Sequence, residues 1–184
     1  MKEEAKDGPN NIARMLLGWF LTFGLRLIPF RPPNIEPILT VQMPFTKYFG
    51  WLAGFMFAFI NIILFDVVVG RLGLWTWITA LAYGLLALFS HWYFKNRKGT
   101  PINFAVHAIY ATLLYDALTG LTIGPLFFHQ TFMEALTGQA MFTLYHLLGN
   151  VSLALVFSSA IYQSFVTNPK LSLSYIKQKL ATSN

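Results

Sequence analysis

The chain has no cysteine and few charged residues, and each shortage excludes a class of protein. Without cysteine it can hold no disulfide, no thiolate metal site and no cysteine nucleophile. Charged residues make up only 11% of the 184 residues, whereas a soluble domain has about 25% because its surface faces water. An ordinary soluble enzyme is therefore not expected. Hydrophobic residues instead make up 55% of the chain, which is typical of a protein that lies in a bilayer.

The motifs of common enzyme classes are also missing from the sequence. It contains neither the GxxxxGK[ST] loop of ATPases nor the GxSxG elbow of serine hydrolases. His107, His129 and His146 lie on separate segments, without HExxH or another close metal-ligand spacing. We therefore expect no enzyme activity, no catalytic residues, no metal site and no cofactor bound for catalysis.

Apolar runs divide the chain into candidate membrane helices. A helix that crosses a bilayer needs about 20 mostly apolar residues, and the second of the six runs is shorter than that. The fold predicted from these runs is an all-α membrane bundle of six helices over 12–166, in a single domain with an N-terminal tail (1–11) and a C-terminal tail (167–184). Between the last two runs, residues 120–139 are predicted to form a partly helical loop. The six runs cover residues 12–30, 36–47, 48–69, 74–94, 102–119 and 140–166.

Basic residues indicate the orientation of the bundle, because cytoplasmic loops carry an excess of lysine and arginine. With six spans and both termini in the cytoplasm, ten basic residues lie inside, and three (Arg26, Arg31 and Arg71) lie outside. If residues 36–47 do not cross, the best division is nine to four. Six spans are favoured, and whether 36–47 crosses fully stays open. The excess of 13 basic over 7 acidic residues is thus interpreted as a topology signal, and no nucleic-acid partner is expected.

Polar residues gather in the outer half of this six-span arrangement. Burying an ionisable group in hydrocarbon costs several kcal/mol, so such groups usually face a cavity or one another. Polar groups that converge among aromatic walls are typical of a pocket for a small molecule. The candidate substrate-binding residues are Arg31, Asn34, Glu36, Asp66, Trp75, Trp77, Asp116, His129, Glu134, His146 and Asn150.

Several of these residues have a purely structural alternative. Asp66 and Arg71 flank a glycine turn, where an ion pair between them would fix the loop. Glu36 could cap a short helix, and Asp116 could be a buried carboxylate that is satisfied within the bundle. The two tryptophans could belong to the aromatic belt at the membrane interface.

Three small residues, Gly50, Gly54 and Ala58, lie on one face of the predicted third helix. This spacing lets two helix backbones approach closely within a membrane. Packing inside the monomer is one interpretation of the face, and a docking groove for another membrane subunit is the other.

The order of features along the chain resembles a known family of membrane proteins. A first span leads into a proline-rich loop over 29–37 with PNIEP at its core, and a short second segment follows. The glycine-punctuated run GWLAGFMFA then precedes Asp66 and a Gly-x-x-Gly-x-Trp turn. Over about residues 12–166 this layout is similar to the substrate-binding S component of energy-coupling factor (ECF) transporters, which import vitamins and cofactor precursors into prokaryotes.

The resemblance implies both an architecture and a set of partners. It implies six helices in the plasma membrane of a prokaryote, with both termini cytoplasmic and a ligand pocket in the outer half. The partners would be an energising membrane T subunit and two ATPases, which would supply the nucleotide-binding loops that this chain lacks. The family often carries an alanine-x-x-x-alanine motif in its first helix. This chain departs from that pattern, and Gly50, Gly54 and Ala58 are the alternative candidates for partner docking.

The function expected from the resemblance is capture of a vitamin or cofactor precursor outside the cell and its delivery inward with the partner ATPases. Two other classes stay open at this point: a secondary transporter or channel that works alone, and a membrane scaffold without transport activity. The substrate itself cannot be deduced from the sequence.

Overall fold

The computed structural model describes residues 8–28, 36–171, 175 and 181, and all the regular secondary structure in this part of the chain is helical. Beyond α6 the helix continues through two π-helical stretches, Ala154–Ser158 and Ile161–Val166, and a 3₁₀ turn follows at Pro169–Leu171. The six α-helices are α1 (Gly8–Leu27), α2 (Pro37–Phe49), α3 (Trp51–Val68), α4 (Leu74–Phe94), α5 (Pro101–Phe127) and α6 (Phe132–Leu153).

In the part of the chain that the structure describes, four helices are long and apolar enough to cross a membrane, which indicates a multi-pass membrane protein. They are Trp51–Val68, Leu74–Phe94, Pro101–Phe127 and Phe132–Ser158. Many large apolar side chains point outward, where a soluble protein would place polar ones; Trp92 is 72% exposed, for example. In a bilayer these side chains contact lipid tails, which are as apolar as they are, instead of water.

The short helix α2 lies in the middle of the bundle. Its 13 residues span only about 20 Å at 1.5 Å per residue, which is less than the bilayer core. Every side chain from Ile38 to Thr46 is buried, because α2 contacts α1, α3, α4, α5 and the last helix. Gly50 then joins α2 directly to α3 with a φ of 94°, a conformation that glycine adopts without strain.

Long-range hydrogen bonds show which helix ends lie close together. Near the start of α1, Arg14 donates to the carbonyls of Val166 and Asn168 (2.8 and 2.9 Å). Near the end of α2, Lys47 Nζ donates to the carbonyl of Arg97 (2.7 Å). We call this region, which also contains Lys95, Lys98 and Lys170, the basic end. The opposite region, with Arg26, Glu36, Asp66, Arg71 and Glu134, we call the pocket end.

The segment 120–139 differs from the predicted partly helical loop, because most of it belongs to α5 and α6. Non-helical backbone is confined to the few residues between Phe127 and Phe132. Two glycines of α5 explain the difference: a side chain at Gly120 or Gly124 would collide with the amide of Gln139 or Gln130. The two helices therefore pack closely there.

Candidate ligand-binding site

Arg26 and Glu36 form an ion pair at the pocket end, between the last turn of α1 and the residue that precedes α2. Arg26 Nε lies 3.2 Å from Glu36 Oε2. The guanidinium also donates to the carbonyl of Asn61 (3.0 Å) and lies 4.1 Å from the centre of the Phe65 ring. A buried arginine requires partners on several sides, and here the residue before α2 and two residues of α3 supply them.

The expected ion pair between Asp66 and Arg71 does not form. The Asp66 carboxylate instead accepts a hydrogen bond from the Thr76 hydroxyl (2.6 Å). The loop is closed by the backbone, because the amide of Arg71 donates to the carbonyl of Asp66 (2.8 Å), and Gly70 takes a φ of 68°. The side chains of Asp66 and Arg71 therefore line the same cavity without forming an ion pair with each other.

Asp116 and His146 pair across α5 and α6 in the interior. His146 Nδ1 lies 2.7 Å from Asp116 Oδ1, and the two side chains are only 3% and 2% exposed. The second carboxylate oxygen, Oδ2, is buried and has no hydrogen-bond partner among the described residues. One turn deeper, Asn150 donates to the Thr112 hydroxyl (2.9 Å). Two polar contacts, four residues apart on each helix, thus join α5 to α6.

Several of these groups line a cavity of about 320 Å³, a volume that suits a small organic molecule. Charged or polar residues lie on its wall beside aromatic rings from α3, α4, α5 and α6. The site thus combines hydrogen-bonding groups with flat apolar surfaces. Its lining residues are Arg26, Glu36, Ile62, Phe65, Asp66, Arg71, Trp75, Thr79, Tyr83, Tyr115, Phe142 and His146.

A second cavity of about 390 Å³ adjoins the first, and Thr79, Tyr115 and Phe142 line both. Its other walls come from the glycine-rich facing surfaces of α5 and α6, with the amides of Gln130 and Gln139. The two cavities give the pocket end a charged compartment and an amide-lined compartment, which share one aromatic boundary.

Glu134 lines this second cavity, but its carboxylate has a structural role as well. It accepts hydrogen bonds from the backbone amide and the hydroxyl of Thr131 (2.7 and 2.9 Å). Thr131 in turn accepts from the backbone amide of Glu134 (3.2 Å). This reciprocal capping box starts α6, and the pattern T-x-x-E was visible in the sequence.

The structure brings together five of the predicted site residues. Glu36, Asp66, Trp75 and His146 line the first cavity, and Asp116 stands directly behind His146.

Three other candidates lie away from both cavities. Trp77 is 46% exposed and contacts Phe59, in agreement with the alternative of an outward-facing aromatic residue. His129 is exposed in the turn before α6 and has a φ of 54°. Asn150 is buried against Thr112, below the cavity. The remaining two candidates, Arg31 and Asn34, lie outside the described residues.

Several lining residues were not among the predicted site residues. Arg26 enters the sequence prediction only as one of the three outside basic residues, although an arginine at the end of a membrane helix requires a partner. Tyr83, Thr79 and Phe142 carried no signal of their own, because apolar and aromatic residues occur throughout the chain. Their position depends on how α4 and α6 are rotated, and the even hydrophobicity of these helices does not fix that rotation.

The small residues of α3 pack inside the chain. Gly54 and Ala58 are buried, and a side chain at Gly54 would collide with the Thr46 hydroxyl of α2. Gly54 also lies close to Ala87 of α4. The face therefore brings α2, α3 and α4 together, and Gly54 and Ala58 offer no outer surface on which a partner could dock.

Comparison with known proteins adds no relative to this description. No family model, no curated protein and no solved structure matches the chain.

Proposed function

We propose that this protein is the substrate-capture subunit of an ECF-type importer, which binds a vitamin-like small molecule at the pocket end. The observation that carries the proposal is the pair of adjoining cavities, whose walls join an ion pair, an acid, a histidine and several aromatic rings. Polar side chains are costly inside a membrane bundle. Contacts with a bound small molecule offset the cost of keeping these polar side chains on the wall of a cavity.

The proposal includes six crossings, with both termini in the cytoplasm of a prokaryote and the basic end inside. The positive-inside rule supports this orientation, because the basic end carries Lys47, Lys95, Arg97, Lys98 and Lys170. The contact of Arg14 with Val166 supports an even number of crossings, because it joins the first helix to the end of the last. Energy would come from a membrane T subunit and two ATPases.

Ligand binding is tested by a thermal-shift screen of the purified protein against water-soluble vitamins and their precursors. We expect at least one compound to raise the unfolding temperature, and Thr79→Phe to abolish the shift by filling the boundary of the two cavities. Thr137→Phe is the matched control, because both threonine hydroxyls bond only within their own helix and Thr137 lines neither cavity. A screen without any shift would contradict the proposal.

Orientation is tested independently with reporters fused to the full chain. A reporter inserted after Lys98 should report the cytoplasm, and one inserted in the turn over 128–131 should report the outside. The opposite pair of signals would contradict the proposed topology.

A further inference from the structure

Acidic and basic residues are distributed unequally between the two ends of the bundle. All four acidic residues that the structure describes lie at the pocket end, whereas six of the eight described lysines and arginines lie at the basic end. At the pocket end, four described acids accompany only two described cations, Arg26 and Arg71. The four acids are Glu36, Asp66, Asp116 and Glu134.

The cations of the pocket end are also less able than the acids to act on a ligand. Arg26 already contacts the Glu36 carboxylate, a backbone carbonyl and the Phe65 ring. Arg71 is exposed, and an exposed charge is screened by water and salt. Asp66 is half-buried, and its Oδ1 accepts no hydrogen bond from a described residue. Because it lies on the cavity wall, its charge is available to a guest molecule.

His146 adds a hydrogen-bond acceptor to the same wall. Its Nδ1 lies 2.7 Å from a carboxylate oxygen of Asp116, and an ionised carboxylate can only accept. In the neutral ring the hydrogen therefore sits on Nδ1, and Nε2 carries the lone pair. Since His146 lines the first cavity, Nε2 is the nitrogen left to meet a donor on the ligand.

We propose that the ligand of the pocket end is an organic cation with N–H donors on a flat ring, held by Asp66 and His146. Trp75, Tyr115 and Phe142 line the cavity around these acceptors, and aromatic faces attract cations as well as flat rings. This inference rests on the proposed function, because it names the chemical class of the molecule that the site captures.

Three probes of equal size and different charge test the class of ligand: benzamidinium, benzamide and benzoate. Their binding to the purified full chain is measured by calorimetry at about pH 8, where an ordinary imidazole is neutral. We expect benzamidinium to bind about tenfold more tightly than either of the others, since one charge-assisted contact is worth that ratio.

Two variants, one that removes a negative charge and one that removes a positive charge, test which residues cause the preference for the cation. Asp66→Asn should weaken benzamidinium binding about tenfold and weaken benzamide binding less, because benzamide carries no charge. The side-chain amide oxygen of this variant can still accept from Thr76, which keeps the loop folded. Arg71→Gln should strengthen benzamidinium binding by a factor of about two, as expected for removal of a screened like charge.

The inference is overturned if benzoate or benzamide binds most tightly, if no probe binds, or if Asp66→Asn leaves the preference for the cation intact. The proposed function is judged separately by the vitamin screen. A neutral or anionic vitamin that stabilises the protein, and is excluded by Thr79→Phe, would remove the cation inference and leave the capture function standing.

Discussion

The basic end and the pocket end both bury charged side chains, but they use them differently. At the basic end, Arg14 and Lys47 donate to backbone carbonyls near the C-terminal ends of the last helix and of α4, where a cation also meets the negative pole of the helix dipole. At the pocket end, the charged side chains of Arg26 and Asp66 line a cavity together with His146. A buried charge in a membrane bundle therefore indicates a binding site only when its partners leave part of it facing open space.

The largest expected effect concerns the Asp116–His146 pair. His146→Leu should lower the free energy of unfolding by about 3–5 kcal/mol, because it leaves the buried Asp116 carboxylate without its partner. The double variant Asp116→Leu, His146→Leu should regain at least half of this loss, because a well-packed apolar pair can replace a buried pair that contains a charge. Unfolding by a denaturing detergent measures both variants.

The same variants separate stability from binding. The double variant should be folded and yet fail to show a ligand-induced thermal shift. Full binding in the double variant would mean that the pair is structural and would remove it from the site.

The next effect belongs to the basic end. Arg14→Leu should cost about 1.5–3 kcal/mol of unfolding free energy, the range for hydrogen bonds to a charged group, and Arg14→Lys should cost less. Ligand affinity, measured by calorimetry, should be the same in both variants as in the unchanged protein. A loss of affinity at constant stability would break the distinction between the two ends.

Phe142 tests the aromatic boundary between the two cavities. Its ring lies edge-on to His146, with centroids 5.5 Å apart, and its side chain is 40% exposed. Phe142→Ala should weaken ligand binding by about 1 kcal/mol, the usual value of one aromatic contact, with a smaller effect on stability. Phe157→Ala is the matched control, because Phe157 is 50% exposed on the outer face of the last helix; equal losses of affinity in the two variants would contradict the assignment.

The smallest effect is expected at Lys47. Its ammonium is partly exposed and bonds the carbonyls of Phe94 and Arg97, so Lys47→Met should cost no more than about 1 kcal/mol. Added salt should reduce the difference from the unchanged protein. A cost several times larger, or one that salt does not affect, would show that this contact is not a screened helix-end interaction.

The long helices could be predicted from the sequence, because length and hydropathy alone determine whether a segment can span a bilayer. The short helix α2 was harder, since Pro44, Gln42 and Lys47 interrupt its apolar pattern. Its location depends on packing: Gln42 bonds the carbonyls of Gly54 and Tyr83 inside the bundle. No local pattern in α2 reveals those partners.

The candidate site could be predicted only in part, because contacts between helices are not visible in a local sequence pattern. The cost of polar groups in a membrane pointed to Asp66, Asp116 and His146 before the structure placed them near one another. Which acid pairs with which base could not be predicted, because Asp116 and His146 are thirty residues apart and lie on different helices. The spacing of four that relates Asp116 to Thr112, and His146 to Asn150, was the available clue that each pair shares one helix face.

Mass spectrometry of the small molecules that co-purify with the protein tests most directly whether the pocket end is a binding site. We predict one compound in near-stoichiometric amount with the unchanged protein and with Thr137→Phe, and its loss from Thr79→Phe. If no compound is retained by any of the three proteins, or if Thr79→Phe retains it in full, the cavities at the pocket end do not hold the ligand.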